Sequence, residues 1–253
     1  MILEVLAVTT NLEKNDLHKK MNIKSQCIIT NQGTMQINDI IIENNNKISY
    51  LSNNEKGVGL NRNMGLMRAS GDIILFADDD LTYFDDYVET VLNSYRKIKN
   101  ADLIIFNIKS DVTKRYIIKK IKRVTKFNFM RYGAVRISCK RESIIKNNIF
   151  FPLNFGGGTK IGSGEDSIFL KECLDKKLKI YAVPSTILRL NEDRKSTWFS
   201  GFNEKYYIDK GKLFKAMFGK WSYLVALRFA FMSRTEIRFI NKFKFLLRGI
   251  RTY

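Results

Sequence analysis

The sequence predicts an α/β protein in which a mostly parallel sheet is covered by helices on both faces. Strand-like and helix-like patterns alternate through residues 1–108, and such alternation favours parallel strands joined by helices. Residues 73–77 form a continuous apolar run, Ile-Ile-Leu-Phe-Ala, which is typical of a strand buried on both faces. With 253 residues, 45% of them hydrophobic, the chain is long enough for one large domain with a substantial core.

The predicted elements are separated by polar residues and glycines. Ser70 and Gly71 end a helix just before the central strand, and residues 31–34 have the composition of a turn. Apolar residues at helical spacing mark the helices. The predicted strands are residues 2–10, 26–30, 47–52, 73–77, 101–108, 134–139 and 179–190. The predicted helices are residues 16–23, 59–69, 84–99, 141–146 and 165–177.

The net charge of +19 is concentrated in two segments. Residues 109–146 contain 13 Lys and Arg against two acidic residues, and residues 200–253 contain 12 against three. The rest of the chain is close to neutral. This distribution predicts a basic face that meets an anionic partner, namely phospholipid, a diphosphate-linked lipid or nucleic acid.

Three features of the sequence bear on its compartment. The three cysteines, Cys27, Cys139 and Cys173, lack the spacing of a metal site and are expected to be free thiols in a reducing environment. Residues 1–7 predict a strand rather than a signal peptide. No window approaches the roughly 18 uninterrupted apolar residues of a transmembrane helix. We therefore expect a cytoplasmic protein.

Three aspartates, Asp78, Asp79 and Asp80, directly follow the central strand. In an open α/β sheet, ligands bind at the carboxyl ends of the strands. Adjacent carboxylates repel one another, and a hard cation with oxygen ligands offsets that repulsion. The pattern favours a metal-dependent ligand site, with a solvated acidic turn before the next helix as the alternative.

A second acidic pair, Glu165 and Asp166, begins a predicted helix. It follows residues 154–164, which include five glycines and so allow the backbone to approach a ligand closely. Acidic residues in a first turn are also stabilised by the helix dipole, which by itself would explain the pair structurally. The position of the pair after the glycine-rich stretch and downstream of Asp80 favours a functional role.

The order of these features resembles family 2 glycosyltransferases of the GT-A fold, which are inverting enzymes common in bacterial polysaccharide assembly. Residues 59–80, GLNRNMGLMRASGDIILFADDD, match the family's Arg-Asn-x-Gly helix, Gly-Asp, apolar strand and Asp-x-Asp. Residues 164–166 (Gly-Glu-Asp) stand where the family has its catalytic Glu-Asp pair, and residues 31–34 (Asn-Gln-Gly-Thr) where it usually has Asp-Asp-Gly-Ser. The resemblance covers residues 1 to about 190. Asp-x-Asp alone is a weak motif, whereas the ordered set is specific.

The resemblance implies transfer of a sugar from a nucleotide-diphosphate donor, expected to be UDP-linked, to a hydroxyl of a glycan or lipid-linked acceptor in bacterial surface polysaccharide synthesis. Asp80 would bind Mg²⁺ or Mn²⁺ at the diphosphate, where negative charge grows as the glycosidic bond breaks. Asp166 would be the general base toward the acceptor hydroxyl. Glu165, Gly157 and Gly158 would lie on the acceptor side. The residues expected to contact the donor are Thr9, Asn11, Asn31, Gln32, Arg62, Asn63, Asp78 and Asp79.

Two positions depart from the family pattern. The acidic residue of the second strand, which contacts the base, is here Asn31 or Gln32; an amide can still pair with uracil, and the donor base stays open. Some relatives use a late histidine as a metal ligand, but the only histidine of this sequence is His18. We expect His18 at the surface, and a metal ion held by few protein ligands together with diphosphate and water.

The predicted domains are a catalytic domain, residues 1–198, and a basic helical C-terminal region, residues 199–253. The catalytic domain would comprise a nucleotide-sugar half, about 1–108, and an acceptor half, about 109–198. Residues 221–231 mix aromatic, aliphatic and cationic side chains, as is typical of an amphipathic helix on an anionic membrane surface. The alternative is that these helices pack on the catalytic domain. Four side chains are expected on one helical face: Ile237, Ile240, Phe243 and Leu247.

Three other functions are compatible with parts of the sequence. A nucleic-acid-binding or membrane-binding protein without transferase activity would use the +19 charge, but it leaves the strand-end carboxylates unexplained. No nucleic-acid motif is present, and we expect no nucleic-acid partner. A nucleotidyltransferase usually needs a glycine- and lysine-rich loop after the first strand, which residues 9–14 lack. A catalytically inactive relative is disfavoured because Asp78, Asp80 and Asp166 are present. The first expectation remains a metal-dependent transferase on the inner face of the cell membrane.

Overall fold

The computed structural model of the protein describes residues 1–34, 38–111, 115–191 and 201–253. Among these residues, ten strands form one sheet and eight segments are α-helical. The strands are β1 (Leu3–Thr10), β2 (Gln26–Gln32), β3 (Asn38–Glu43), β4 (Asn46–Asn53), β5 (Ile73–Asp78), β6 (Leu81–Tyr83), β7 (Leu103–Lys109), β8 (Lys122–Arg123), β9 (Ile137–Lys140) and β10 (Ile180–Leu190). The helices are α1 (Leu17–Lys20), α2 (Val58–Arg68), α3 (Tyr87–Lys97), α4 (Arg141–Lys146), α5 (Glu165–Asp175), α6 (Glu204–Phe218), α7 (Ser222–Met232) and α8 (Phe239–Arg251).

The sheet has the strand order β3-β4-β2-β1-β5-β9-β7-β10-β6, with β8 beside β10. Strands β4, β2, β1 and β5 are parallel, and β10 is parallel to β7. Strand β9 is antiparallel to both β5 and β7, and β3, β6 and β8 also pair antiparallel. The predicted helix-covered sheet is confirmed, with parallel pairing in its first half and added antiparallel strands that make the whole sheet mixed.

Apolar side chains divide between two cores, one on each face of the sheet. Along β1, Leu6 and Val8 belong to the first core, whereas Val5 and Ala7 belong to the second. Helices α2, α4 and α5 cover the first core, and α1 and α3 cover the second. Because β5 lies between these cores, all five side chains of 73–77 are buried, which explains its continuous apolar run.

Several predicted boundaries change because tertiary pairing overrides local composition. Asn31 and Gln32, predicted in a turn, continue β2 because they pair with both β1 and β4. Residues 81–83, for which no element was predicted, form β6 against β10. Ala134–Arg136, predicted as strand, is a 3-10 helix, and β9 begins at Ile137.

The C-terminal helices pack on the preceding part of the chain. Leu213 of α6 and Ile250 of α8 belong to the first core, and Leu213 lies against Gly164 at the start of α5. The predicted division into 1–198 and 199–253 stays a prediction, because residues 192–200 lie outside the described ranges. Within those ranges, no helix is long and apolar enough to span a membrane.

Two glycines set a close contact between α8 and α6. A Cβ at Gly249 would stand 2.0 Å from the Ile208 carbonyl oxygen, and one at Gly211 would stand 2.2 Å from that of Leu246. Of the side chains expected on one helical face, Ile237, Phe243 and Leu247 are partly buried against the first core, whereas Ile240 is exposed. The fully buried positions of α8 are Lys242, Leu246, Gly249 and Ile250.

We expect Gly249→Ala to lower the free energy of unfolding by about 1–3 kcal/mol, because the added methyl group collides with the backbone of α6. The better helix propensity of alanine, worth about 1 kcal/mol, acts in the opposite direction and is the smaller effect. Urea unfolding measures the change. Lys244→Ala on the exposed side of α8 is the control and should change it by less than about 0.5 kcal/mol. Equal midpoints for Gly249→Ala and wild type would contradict this helix contact.

Candidate functional site

The three aspartates at the end of β5 have different surroundings. Asp78 Oδ1 accepts a hydrogen bond from Arg62 Nη2 at 2.7 Å, and Asp79 Oδ2 accepts one from Thr9 Oγ1 at 2.6 Å. Burial, followed by the charges of Asp78 and Asp79, raises the pKa of Asp80 to about 6. A cation bound beside Asp80 would stabilise the charged form of this carboxylate.

Arg62 joins the strand-end aspartates to the second acidic pair. The side chain is 2% exposed, and besides Asp78 it binds Glu165, with Nη1 2.9 Å from Oε1. Its Cζ lies 5.2 Å from the ring centroid of Phe151. Burial by itself lowers the pKa of Arg62, but the two carboxylates outweigh burial and raise it. The guanidinium group therefore stays charged between Asp78 and Glu165.

A cavity of about 640 Å³ opens beside Asp79 and Asp80. Thr9 and Asn11 line it from the end of β1. Asn11 has a left-handed backbone with φ of 53°, and a Cβ at Gly33 would stand 3.1 Å from its Oδ1. The volume is in the range of small-molecule sites, roughly 300–1,000 Å³. Four of the residues predicted around donor and metal thus share one cavity.

Asn31 and Gln32 have partners inside the protein and do not line this cavity. Asn31 Oδ1 accepts from the Leu12 N–H at 2.9 Å, and its Nδ2 donates to Ser52 Oγ at 3.1 Å. Gln32 Nε2 donates to the Gly57 carbonyl at 2.7 Å. Both amides hold the loops around the cavity, and their contact with a donor stays a prediction.

Asn63 likewise positions a neighbour. Its Nδ2 donates to the Phe151 carbonyl and its Oδ1 accepts from the Phe151 N–H, both at 2.8 Å. The ring of Phe151 stacks on Phe169 at 4.3 Å and lies beneath Arg62. Asn63 therefore fixes the aromatic surface on which the Arg62 guanidinium rests. Its predicted contact with the donor stays a prediction.

Asp166 lies at the start of α5, beside Gly133. One oxygen, Oδ1, accepts from the Ser167 N–H at 2.6 Å, and the other, Oδ2, is 3.3 Å from where a Cβ at Gly133 would stand. Burial and the Glu165 charge raise the pKa of Asp166 to about 6, against the opposing charges of Arg62 and Lys210. Such a carboxylate is mostly ionised at neutral pH and is a stronger base than an ordinary aspartate.

The glycine-rich loop packs between α2 and Glu165. The Gly157 carbonyl accepts from the Val58 N–H at 2.8 Å, at the N-terminus of α2. Gly158 has a φ of 77°, a conformation that favours glycine. A Cβ at Gly156 would stand 2.7 Å from Glu165 Oε2. The loop therefore supports the acidic pair, and contact of Gly157, Gly158 or Glu165 with an acceptor stays a prediction.

Sequence reasoning missed four residues near these groups. Lys14, Lys20 and Asn191 line the cavity, but no local pattern distinguishes them from surface residues. Lys210 of α6 lies within electrostatic range of Asp166 and Glu165, and its ammonium is 5.6 Å from the Tyr206 ring centroid. Burial lowers the pKa of Lys210, partly offset by these two carboxylates. Only the packing of α6 on α5 could have identified it.

His18 is buried, which corrects the expected surface position. Its Nδ1 lies 2.6 Å from the Tyr50 hydroxyl and its Nε2 lies 3.0 Å from Glu43 Oε2. The reason is that α1 packs on β3 and β4, whose polar side chains supply partners for both ring nitrogens. The contacts of His18 are therefore structural.

The residues present fit a hard divalent cation that takes few protein ligands. Within the described ranges, no group of three or more His, Cys, Asp or Glu side chains is arranged as a metal site. Asp80, with its raised pKa, offers an oxygen ligand, and oxygen ligands suit Mg²⁺ and Mn²⁺. An ion at Asp80 would complete its coordination with ligand phosphates and water.

The model of the family described as "Glycosyl transferase family 2" matches residues 26–155, about half of the chain. This segment includes β2, α2, the aspartates at the end of β5 and the start of the glycine-rich loop. No curated protein sequence matches the chain significantly.

Solved structures of TarS from S. aureus share the fold. TarS 1-349 in complex with UDP-GlcNAc matches with a TM-score of 0.63 and 16% identity, covering 99% of this chain and 72% of that one. The complex of TarS 1-349 with UDP has a TM-score of 0.59 and 16% identity, covering 99% and 71%. A further TarS structure has a TM-score of 0.61 and 16% identity, covering 98% and 43%. The predicted GT-A fold is confirmed.

Proposed function

Because the chain belongs to glycosyl transferase family 2 and is a glycosyltransferase, we propose the reaction that it catalyses. It transfers a sugar, with inversion, from a nucleotide-diphosphate donor to a hydroxyl group. The acceptor would be a glycan or a lipid-linked sugar in bacterial surface polysaccharide synthesis. The observation that carries the proposal is that Arg62 joins Asp78, next to the cavity-lining Asp79 and Asp80, to Glu165, next to Asp166. A donor site and a general base are thereby held in one rigid arrangement.

UDP is the expected nucleotide. The TarS structures that share this fold were solved with UDP-GlcNAc and with UDP, which supports a UDP-linked sugar. The cavity beside Asp79 and Asp80 has room for such a ligand, and its lining includes Lys14, and Lys20 paired with Asp16, as cations within reach of phosphates. Thr9 would bind the donor together with Asp79, with which it already shares a hydrogen bond.

Asp80 would hold Mg²⁺ or Mn²⁺ at the donor diphosphate. When bound, the ion would stabilise the negative charge that develops on the departing nucleoside diphosphate. Asp78 accepts a hydrogen bond from Arg62, and Asp79 accepts one from Thr9. These side chains already stabilise the charges of both carboxylates in part. Asp80 is the remaining carboxylate of the three, and its raised pKa supports this assignment.

Asp166 would accept the proton of the acceptor hydroxyl while that oxygen attacks the anomeric carbon. The nucleoside diphosphate leaves from the opposite side, so one displacement inverts the configuration without a covalent enzyme intermediate. Its pKa of about 6 supports a base that is ionised at neutral pH. Glu165 is held by Arg62, and Lys210 places a positive charge near the pair, so both would orient Asp166 rather than replace it.

Asp80→Asn and Asp166→Asn test the two roles separately. We expect Asp80→Asn to weaken Mn²⁺-dependent UDP binding at least about tenfold, a loss of about 1.4 kcal/mol, because the ion loses its carboxylate ligand. Asp166→Asn should keep UDP binding but slow UDP-sugar turnover by about 10²–10⁴-fold, because it removes the base. Calorimetry and UDP release from a panel of UDP-sugars, with water or glycan acceptors, measure the two effects.

The pH profile and a control complete this experiment. Turnover at saturating Mn²⁺ and donor should fall as the pH drops through about 6, where Asp166, faced by Glu165, Arg62 and Lys210, becomes protonated. The exposed Asp86→Asn should behave like wild type. Metal-independent UDP binding, or full turnover by Asp166→Asn, would contradict the assignment. A preference for GDP or CDP would change the donor and keep the mechanism.

We also propose that the C-terminal region holds the enzyme on the anionic inner surface of the cell membrane. Helix α7 packs inward through Ser222, Ala226 and Ala230, with Val225 and Phe229 partly buried against the first core, while its other large apolar side chains are exposed. Phe231 is 82% exposed and Trp221 is 71% exposed. The other exposed side chains of this helix and its flanks include Leu224, Leu227, Met232, Lys220, Arg228 and Arg234. An apolar face with a cationic surround is the pattern of a helix lying in a membrane interface.

Vesicle co-sedimentation tests this attachment. The protein should bind phosphatidylglycerol vesicles more strongly than phosphatidylcholine vesicles, and less strongly as salt rises. Phe231→Ser should weaken binding about tenfold or more, since burying a phenyl group is worth about 1.5–3 kcal/mol. Ile42→Ser removes a similarly exposed side chain from β3 and should have no effect. Equal binding by wild type and Phe231→Ser would contradict a role of α7.

A further inference from the structure

Residues 115–131, named here the basic loop, combine positive charge with exposed apolar side chains. The basic loop has seven Lys and Arg and no acidic residue. Phe127 at its tip is 97% exposed, and Ile117 and Ile121 are 65% and 55% exposed. Isolated exposed apolar residues are ordinary on protein surfaces, but three in one cationic segment indicate a contact surface.

The exposure of Phe127 results from how the basic loop is anchored. Ile118, Val124 and Phe129 are buried in the first core, and the Val124 N–H donates to the Ile180 carbonyl at 2.9 Å. A turn follows, in which the Phe129 N–H donates to the Thr125 carbonyl at 3.1 Å. This turn directs Phe127 outward while its neighbours are fixed to the sheet. The side chain is therefore presented to solvent by a rigid support.

The basic loop is in contact with the end of α6, from which the chain continues into α7. The rings of Phe129 and Phe218 are 6.4 Å apart between centroids, and Phe218 ends α6 three residues before the exposed Trp221. The loop also leads directly to the candidate active site. Gly133, two residues after its end, is the glycine beside Asp166 Oδ2.

We propose that the basic loop inserts Phe127 into the membrane interface as a second anchor, so that the loop and α7 form one continuous lipid-binding surface next to the acceptor side of Asp166. This inference rests on the proposed function, because it deepens the membrane attachment assigned to α7. Its occupant is an anionic lipid bilayer. The apolar tip favours lipid over nucleic acid. Cationic side chains bind the phosphate backbone of a nucleic acid, but an exposed phenyl ring contacts nucleic acid only where bases are unstacked, whereas it inserts readily into a lipid interface.

Site-specific fluorescence tests the insertion. The chain has two tryptophans, so Trp198→Phe and Trp221→Phe together give a background without tryptophan. Phe127→Trp in this background should shift its emission to shorter wavelength on anionic phosphatidylglycerol vesicles and lose emission when the lipid acyl chains are brominated. Ile42→Trp in the same background, at a side chain that is 69% exposed on β3, should show neither change.

The outcomes separate this inference from the proposed function. If the Phe127→Trp variant binds vesicles but its introduced indole stays fully solvated, the insertion of the basic loop is overturned. Attachment through α7 would then remain in place. Absence of vesicle binding by the wild-type protein would overturn both membrane assignments, while UDP turnover would still test the transferase. A change in the emission of this variant with a single-stranded oligonucleotide, and none with vesicles, would overturn the choice of lipid.

Discussion

Arg62 connects carboxylates that are far apart in the sequence. It donates to Asp78 at the end of β5 and to Glu165 at the start of α5, and it is almost completely buried between them. Removing one member of a buried ion pair is costly, about 3–5 kcal/mol, because it leaves an uncompensated charge. Here the guanidinium group of Arg62 compensates the charges of both Asp78 and Glu165. The end of β5 and the start of α5 therefore depend on the same side chain for their positions.

The residues around Arg62 hold its guanidinium group between the two carboxylates. Asn63 fixes the backbone of Phe151, whose ring supports the guanidinium, and a cluster of glycines lets the following loop pack against Glu165. Asp166 is the next residue of α5, so its carboxylate is placed by the same contacts. Lys210 reaches this pair from α6, which means that the C-terminal helices complete the electrostatic environment of the site as well as the core.

The sequence was informative where function and burial follow local rules. The apolar run of β5 and the aspartates after it could be predicted, because a strand between two cores excludes polar residues and its carboxyl end is a ligand position. Contacts between distant segments could not be predicted. The pairing of Arg62 with Glu165 spans 103 residues, and the burial of His18 depends on partners from β3 and β4. The position of Lys210 depends on how α6 packs against Gly164.

The number of basic residues in each segment could also be read from the sequence, but the positions of the two basic segments in the fold could not. Two basic segments are evident in the sequence, whereas the contact of Phe129 with Phe218, which joins the basic loop to the end of α6, is not. The exposed apolar and cationic side chains of this loop and of α7 are those assigned to the proposed lipid-binding surface. An acceptor carried on a lipid would reach Asp166 from such a surface without leaving the membrane.

A double-mutant cycle on Arg62 and Glu165 tests the central claim most directly. The free energies of unfolding of Arg62→Met, Glu165→Gln, the double variant and wild type are measured by urea titration. Because both single changes remove the same buried contact, the double variant should cost less than their sum, with a coupling of about 1–3 kcal/mol. Costs that add to within about 0.5 kcal/mol would contradict the claim that Arg62 holds the two acidic groups together.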